Sequence, residues 1–145
     1  MNNHISDIYI KSFKGISNLK LKDIKLINIL TGGNNSGKTS VLEVIQNMKN
    51  SADLLLDEFE TAIHTSAMNK TFKWIIESCK KLNVQVFMTS HSKEEIDKVL
   101  KCSPECIDDM AIYTLYKDSE GTSVRRLDGK MAIEAQDEMG LELRE

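Results

Sequence analysis

The sequence predicts an α/β fold with a mixed, partly parallel sheet, and three observations carry this prediction. A strand-like run at 24–30 leads through a glycine-rich loop into a helical run at 39–48. Two more β-rich runs, at 53–58 and 84–91, each end in polar residues. Two alternating runs near the C-terminus flank a turn, which is typical of a hairpin. The 145 residues suffice for one domain, 1–145, with a modest core.

The glycine-rich loop fits the pattern G-x-x-x-x-G-K-(S/T), in the order strand, loop, helix that a phosphate-binding motif requires. Its glycines would let backbone N–H groups turn inward, and the helix that follows presents unpaired N–H groups and a positive dipole end to an anion. Lys38 would reach the β- and γ-phosphates of a nucleotide, and the Thr39 hydroxyl would ligate Mg²⁺. The residues predicted to contact the nucleotide here are Gly32, Gly33, Asn34, Asn35, Ser36, Gly37, Lys38, Thr39 and Ser40.

The run at 53–58 is a short apolar stretch that ends in Asp57 and Glu58. A continuous apolar run is typical of a buried parallel strand, and functional groups collect at the carboxyl ends of such strands. Asp57 is therefore predicted to hold Mg²⁺ directly or through water, and Glu58 to polarise a water that attacks the γ-phosphate. The alternative is an exposed acidic turn after a core strand.

The run at 84–91 ends in the sequence Thr-Ser-His, and a helix is predicted to begin near Ser92. His91, at a strand end beside a phosphate site, is predicted to hydrogen-bond the γ-phosphate and sense its presence. The alternative is a solvated loop histidine.

The remaining elements follow from periodicity. A helix is predicted over 66–82, and its shared apolar face comprises Met68, Phe72, Ile75, Ile76, Cys79 and Leu82. Trp74 is expected to be a packing or partly exposed residue of this helix rather than a ligand stack. The hairpin strands are predicted at 111–117 and 122–127, with Gly121 in a turn that needs positive φ, and a short helix at 129–139 follows.

Composition excludes several classes of function. The net charge of −3 gives no global basic footprint for nucleic acid. The lysines at 11, 14, 20, 22 and 25 are interpreted as a solvated face, and the alternative is a contact with a polyanion. No apolar stretch is long enough to span a bilayer and no secretory signal is visible, so a cytoplasmic location with no membrane partner is expected. Cys102 and Cys106 could form half of a metal site, but no second pair or nearby histidine completes four ligands, so the three cysteines are interpreted as free thiols rather than zinc ligands or a disulfide.

Taken together, the segments 8–16, 32–43, 55–64 and 88–92 resemble the ABC-type ATPases of the RecF/SMC-like group, and most closely the OLD (overcoming lysogenization defect) family. The loop and the histidine segment are specific to that group, whereas the similar tail at 112–117, 124–127 and 140–144 is weak by itself. The resemblance implies an ABC-ATPase-like P-loop NTPase sandwich. In it the strand ending at Ser90 lies between the loop strand and the Asp-Glu strand, so that Glu58 and His91 flank the γ-phosphate.

ATP with Mg²⁺ is the predicted ligand. Proteins that select guanine read the base with an Asn-Lys-x-Asp run, whereas the one candidate run, at 69–72, ends in Phe72. In related ATPases the turn after the first strand touches the nucleotide, which makes Phe13 and Lys14 candidate contacts.

One departure from the resemblance bears on activity. Family members carry a long insertion between the loop helix and the Asp-Glu strand, with an arm and a Ser-Gly-Gly signature, and here only about residues 49–53 separate the two elements. Either the arm has been removed from a longer protein or the chain is naturally reduced. Two functions therefore stay open: an ATPase linked to DNA repair or phage defence, and a non-hydrolysing nucleotide-binding module or remnant. The expected partners are the nucleotide, a homodimer or a larger ATPase, and DNA only through such a partner.

Overall fold

The computed structural model describes residues 4–33, 36–48, 53–62, 68–119 and 121–139. In chain order the strands are β1 (Ile8–Phe13), β2 (Ile16–Leu21), β3 (Ile27–Gly32), β4 (Asp53–Leu56), β5 (Gln85–Thr89), β6 (Met110–Asp118) and β7 (Gly121–Asp128). The helices are α1 (Lys38–Gln46), α2 (Phe59–Ala62), α3 (Met68–Leu82), α4 (Lys93–Cys102) and α5 (Gly129–Met139), and a 3₁₀ helix covers Pro104–Asp109.

Five strands form a mixed sheet in the order β4-β5-β3-β6-β7. The first four are parallel, and β7 runs antiparallel to β6. The predicted α/β class, the partly parallel sheet, the C-terminal hairpin and the position of β5 between β3 and β4 are confirmed. The strands β1 and β2 pair with each other in a separate antiparallel sheet.

Alternating side chains of the central sheet give each face its own layer. Ile27, Ile29 and Met88 point to one face, where they pack with residues of α3, α4 and α5. Leu30 and Phe87 point to the other face, where they pack with α1 and with the inner side of the β1–β2 pair. This arrangement places the loop before α1, and the first turn of that helix, at the carboxyl ends of the parallel strands.

Two predictions about burial were wrong. Leu82 of α3, expected on the apolar face of the helix, is 71% exposed, while Trp74, expected to be a packing or partly exposed residue, is 69% exposed. At about 100° per residue, Trp74 points away from the side of Phe72, while Leu82 is the last residue of the helix. The strand β4 lies at the edge of the sheet and is half-buried rather than buried, because it has a neighbour on one side only.

Boundaries shifted as well. The strand β3 begins at Ile27, later than predicted, because the buried Asn28 side chain binds both the N–H and the carbonyl of Lys25 and so closes a turn there. Residues 66 and 67 of the helix predicted over 66–82 lie outside the described residues.

No helix in the described ranges is long and apolar enough to cross a membrane. The lysines predicted to form a solvated face at 11, 14, 20 and 22 are exposed, and Lys25 is half-buried.

Candidate functional site

The loop between β3 and α1 requires glycine at two of its positions. Gly32 has φ +144°, and a Cβ there would meet the backbone carbonyl of Leu115 on β6 and approach Ser36 Oγ to 2.8 Å. Gly37 has φ +106°, and a Cβ there would approach Ile16 Cγ1 to 3.0 Å. A Cβ at Gly33, by contrast, would meet no atom within 4 Å in the part of the chain that the structure describes. The two glycines that define the motif are therefore those that the tertiary structure requires.

Polar groups at the start of α1 face the loop. Gly37 is the N-cap of α1 in a left-handed conformation, it has no side chain with which to cap the helix, and no acid occupies the first turn. The first N–H groups of a helix have no intrahelical partner, so they are available to an anion bound at the loop. The Ser36 hydroxyl is buried, and its Oγ has no hydrogen-bond partner among the residues described.

Lys38 folds back over the loop. Its Nζ donates to the carbonyl oxygens of Gly32, at 2.7 Å, and Gly33, at 3.2 Å, and the residue is 8% exposed. The position of the charge is thus fixed by the loop that it would serve.

The loop residues enclose a polar cleft of about 210 Å³. Its lining comprises Gly33, Ser36, Gly37, Lys38, Thr39, Ser40 and Glu58. Seven predicted site residues are therefore brought together, six from the loop and α1 and one from the turn after β4. Asn34 and Asn35 lie outside the described residues.

Asp57 connects the turn after β4 to α1. The Thr39 hydroxyl lies 3.2 and 3.3 Å from the two carboxylate oxygens of Asp57. A hydroxyl and a carboxylate side by side are the hard oxygen donors that Mg²⁺ prefers, and Mg²⁺ usually takes only one or two protein ligands. The pair therefore fits the predicted metal, although no cluster of three or more His, Cys, Asp or Glu ligands occurs in the described part of the chain.

A residue that sequence reasoning did not single out holds the two acids. The Thr89 hydroxyl, at the end of β5, donates to Asp57 Oδ1 at 2.5 Å and accepts the N–H of Glu58 at 2.7 Å. Glu58 itself has φ +48°, a left-handed conformation that is uncommon outside glycine. The signal in the sequence is a threonine at the carboxyl end of a strand, two positions before His91.

His91 and Lys14 lie outside the lining of the cleft. His91 is exposed and lies two residues after the end of β5. In the sheet β5 lies between β3, which leads to the glycine loop, and β4, which leads to Asp57. Lys14 Nζ forms an ion pair with Glu43 of α1 at 2.7 Å and lies 5.6 Å from the Phe13 ring centroid. Their predicted contacts with a nucleotide remain predictions.

Comparisons with known proteins give three similar chains. Over 105 residues the chain is 30% identical to the uncharacterized protein MJECL11 of Methanocaldococcus jannaschii, which covers 72% of this chain and 91% of that protein. It is 49% identical over 41 residues to the uncharacterized protein MJECL10 of the same organism, covering 28% of this chain and 19% of that protein. It is 45% identical over 42 residues to the DNA replication and repair protein RecF of Nitrosococcus oceani, covering 29% of this chain and 12% of that protein.

No family model matches the chain, and no solved structure matches it. The RecF match supports a RecF-like segment within the chain, while the closer OLD resemblance remains a prediction, as does the loss of an arm.

Proposed function

This chain belongs to the family of the uncharacterized protein MJECL11 of Methanocaldococcus jannaschii, and we propose that it binds Mg·ATP at the glycine loop and hydrolyses it slowly. The observation that carries the proposal is the polar cleft at the start of α1, where the buried Lys38 and a helix N-terminus with glycine as its N-cap meet Glu58. This combination of charge, backbone donors and a nearby acid suits a nucleoside triphosphate.

The residues have separable roles in this proposal. Lys38 would exchange its hydrogen bonds to the Gly32 and Gly33 carbonyls for bonds to phosphate oxygens, which are charged and therefore stronger acceptors. Thr39 and Asp57 would hold Mg²⁺, which when bound neutralises developing charge on the phosphates. Glu58 would orient a water towards the γ-phosphate and accept its proton.

Turnover is proposed to be slow. In the ABC-type ATPases that the chain resembles, a signature serine of a partner subunit caps the nucleotide, and no Ser-Gly-Gly run occurs in this sequence. A stabilising group supplied by a partner is worth on the order of a thousandfold or more in phosphoryl transfer. A chain that binds ATP without a capping group would lack this rate enhancement, unless a homodimer or a larger ATPase partner supplies the capping group. Any link to DNA would then come through such a partner.

Calorimetric titration of ATP into the purified chain, with and without Mg²⁺, tests the binding step. The variant Lys38→Ala should lose affinity by about 100-fold or more, because two hydrogen bonds to charged phosphate oxygens contribute roughly 1.5–3 kcal/mol each. Lys20→Ala is the matched control, since Lys20 is exposed on β2 and belongs to no part of the cleft. Equal affinities for the two variants would show that the loop is not the binding site. GTP in the same titration tests the preference for adenine.

A non-hydrolysing nucleotide-binding module is the second candidate, and the missing signature favours it. Phosphate release under single-turnover conditions separates the two. Release that depends on Glu58 supports the ATPase, whereas tight Mg·ATP binding with no release supports the binding module.

A further inference from the structure

We propose that Thr89 is a positioning residue that sets the geometry of both acids of the site, Asp57 and Glu58, through its one hydroxyl group. This inference rests on the nucleotide site proposed above. In this proposal β5 not only leads to His91 but also contributes a side chain that positions the two acids.

The hydrogen bonds of the Thr89 hydroxyl have a fixed direction. The N–H of Glu58 can only donate, so Thr89 Oγ1 accepts from it at 2.7 Å. The single hydroxyl proton is then left for Asp57 Oδ1, at 2.5 Å. One side chain therefore fixes the carboxylate of the first acid and the backbone of the second.

Thr89 lies on a more firmly held strand than the one that precedes Asp57 and Glu58. Thr89 is fully buried on β5, which is paired on both sides, and it lies opposite Leu30 of β3. Asp57 and Glu58 follow β4, a half-buried edge strand of four residues. Because an edge strand is held from one side only, the turn after it needs another restraint, and the Thr89 hydroxyl supplies it.

The restraint also acts on backbone conformation. Glu58 is held at φ +48°, a conformation that is unfavourable for a residue with a side chain unless neighbouring groups stabilise it. The bond from its N–H to Thr89 stabilises this conformation, in which Glu58 lines the cleft. Without the hydroxyl, Asp57 would retain the longer contacts with Thr39, and Glu58 would be free to leave the cleft.

The experiment compares Thr89→Val, which removes the hydroxyl at nearly constant shape, with Thr89→Ser, which keeps it. Mg²⁺ is titrated into the complex of each protein with ATP, and ATP is separately titrated in EDTA. Thr89→Val should lower the apparent Mg²⁺ affinity by about 10–100-fold, the usual effect of removing a partner that orients a metal ligand. Thr89→Ser should restore it, and ATP affinity in EDTA should be unchanged in both, since Thr89 is not part of the cleft lining.

Thr122→Val is the matched control. Thr122 is buried on β7, and its hydroxyl has no hydrogen-bond partner within the described ranges, so the same exchange should leave the Mg²⁺ titration unchanged. Combining Thr89→Val with Asp57→Asn provides a further test. If Thr89 acts through Asp57, the double variant should bind Mg²⁺ no more weakly than Asp57→Asn alone.

Each outcome decides between the proposals. Equal Mg²⁺ affinity for wild type and Thr89→Val, or a serine variant as weak as the valine variant, overturns the positioning role while the nucleotide site stands. No ATP binding by the wild-type chain overturns both. Should Thr89→Val melt below the assay temperature, Thr89→Ala replaces it, because it removes the hydroxyl without adding bulk.

Discussion

Replacing Gly32 by alanine should destabilise the fold by at least about 2 kcal/mol. Two terms contribute. Gly32 has φ +144°, and holding a residue with a side chain in such a region costs roughly 1–3 kcal/mol. The new Cβ would also overlap the Leu115 carbonyl and approach Ser36 Oγ to 2.8 Å, and overpacking of this kind costs typically about 1–3 kcal/mol.

The overpacking cost cannot be relieved easily, because the added Cβ would meet a backbone carbonyl. The Leu115 carbonyl belongs to the backbone of β6, which pairs with β3 on one side and with β7 on the other. That carbonyl cannot move without disturbing both ladders, whereas a flexible side chain would move at little cost.

Thermal or urea unfolding of Gly32→Ala, Gly33→Ala and the wild type measures the effect. For a domain of this size about 2 kcal/mol corresponds to a fall in Tm of roughly 4–8 °C. Gly33→Ala should stay within about 0.5 kcal/mol of the wild type, because no atom of the described residues lies within 4 Å of its added Cβ. Equal stabilities for the two alanine variants would refute the close approach of the loop to β6.

Four further outcomes are expected. Burial raises the pKa of the Cys102 thiol to about 11. Its alkylation at pH 8 should therefore be about 100-fold slower than in the unfolded chain, because the thiolate is the reacting form. The alkylation rate should rise until about pH 11, and a plateau near pH 9 would contradict this. Phe72→Ala should cost about 3–5 kcal/mol in urea unfolding, because Phe72 is fully buried with its ring edge-on to Phe59 at 4.8 Å, whereas Trp74→Ala on the exposed side of the same helix should cost under about 1 kcal/mol. Glu58→Gln should keep Mg·ATP affinity and lower phosphate release, while Asp57→Asn should weaken the Mg²⁺ dependence of binding; release unchanged in both would reduce the acids to a strand-end turn. Light scattering of Glu58→Gln with and without ATP should show no nucleotide-dependent dimer, and a dimer with brisk wild-type turnover would reveal a capping group that the sequence does not display.

The sequence by itself determined the local elements that build the site. Sequence patterns predicted three local features: the glycine loop between a strand and a helix, the acids after β4, and the polar end of β5. They could be predicted because turn chemistry and apolar periodicity are encoded within a few neighbouring residues. The position of β5 between β3 and β4 came from the family resemblance rather than from spacing, and the structure confirms it.

Tertiary structure alone decided which of these residues act together. Leu115 approaches Gly32, Ile16 approaches Gly37, and Thr89 binds the turn after β4, and each contact joins segments that are distant in sequence. Pairing across a sheet follows from burial of the whole chain, so no local pattern records it. For the same reason the edge position of β4 could not be predicted from the sequence. An apolar run indicates that a strand is buried, but only its neighbours in the sheet determine whether one side of the strand or both sides are covered.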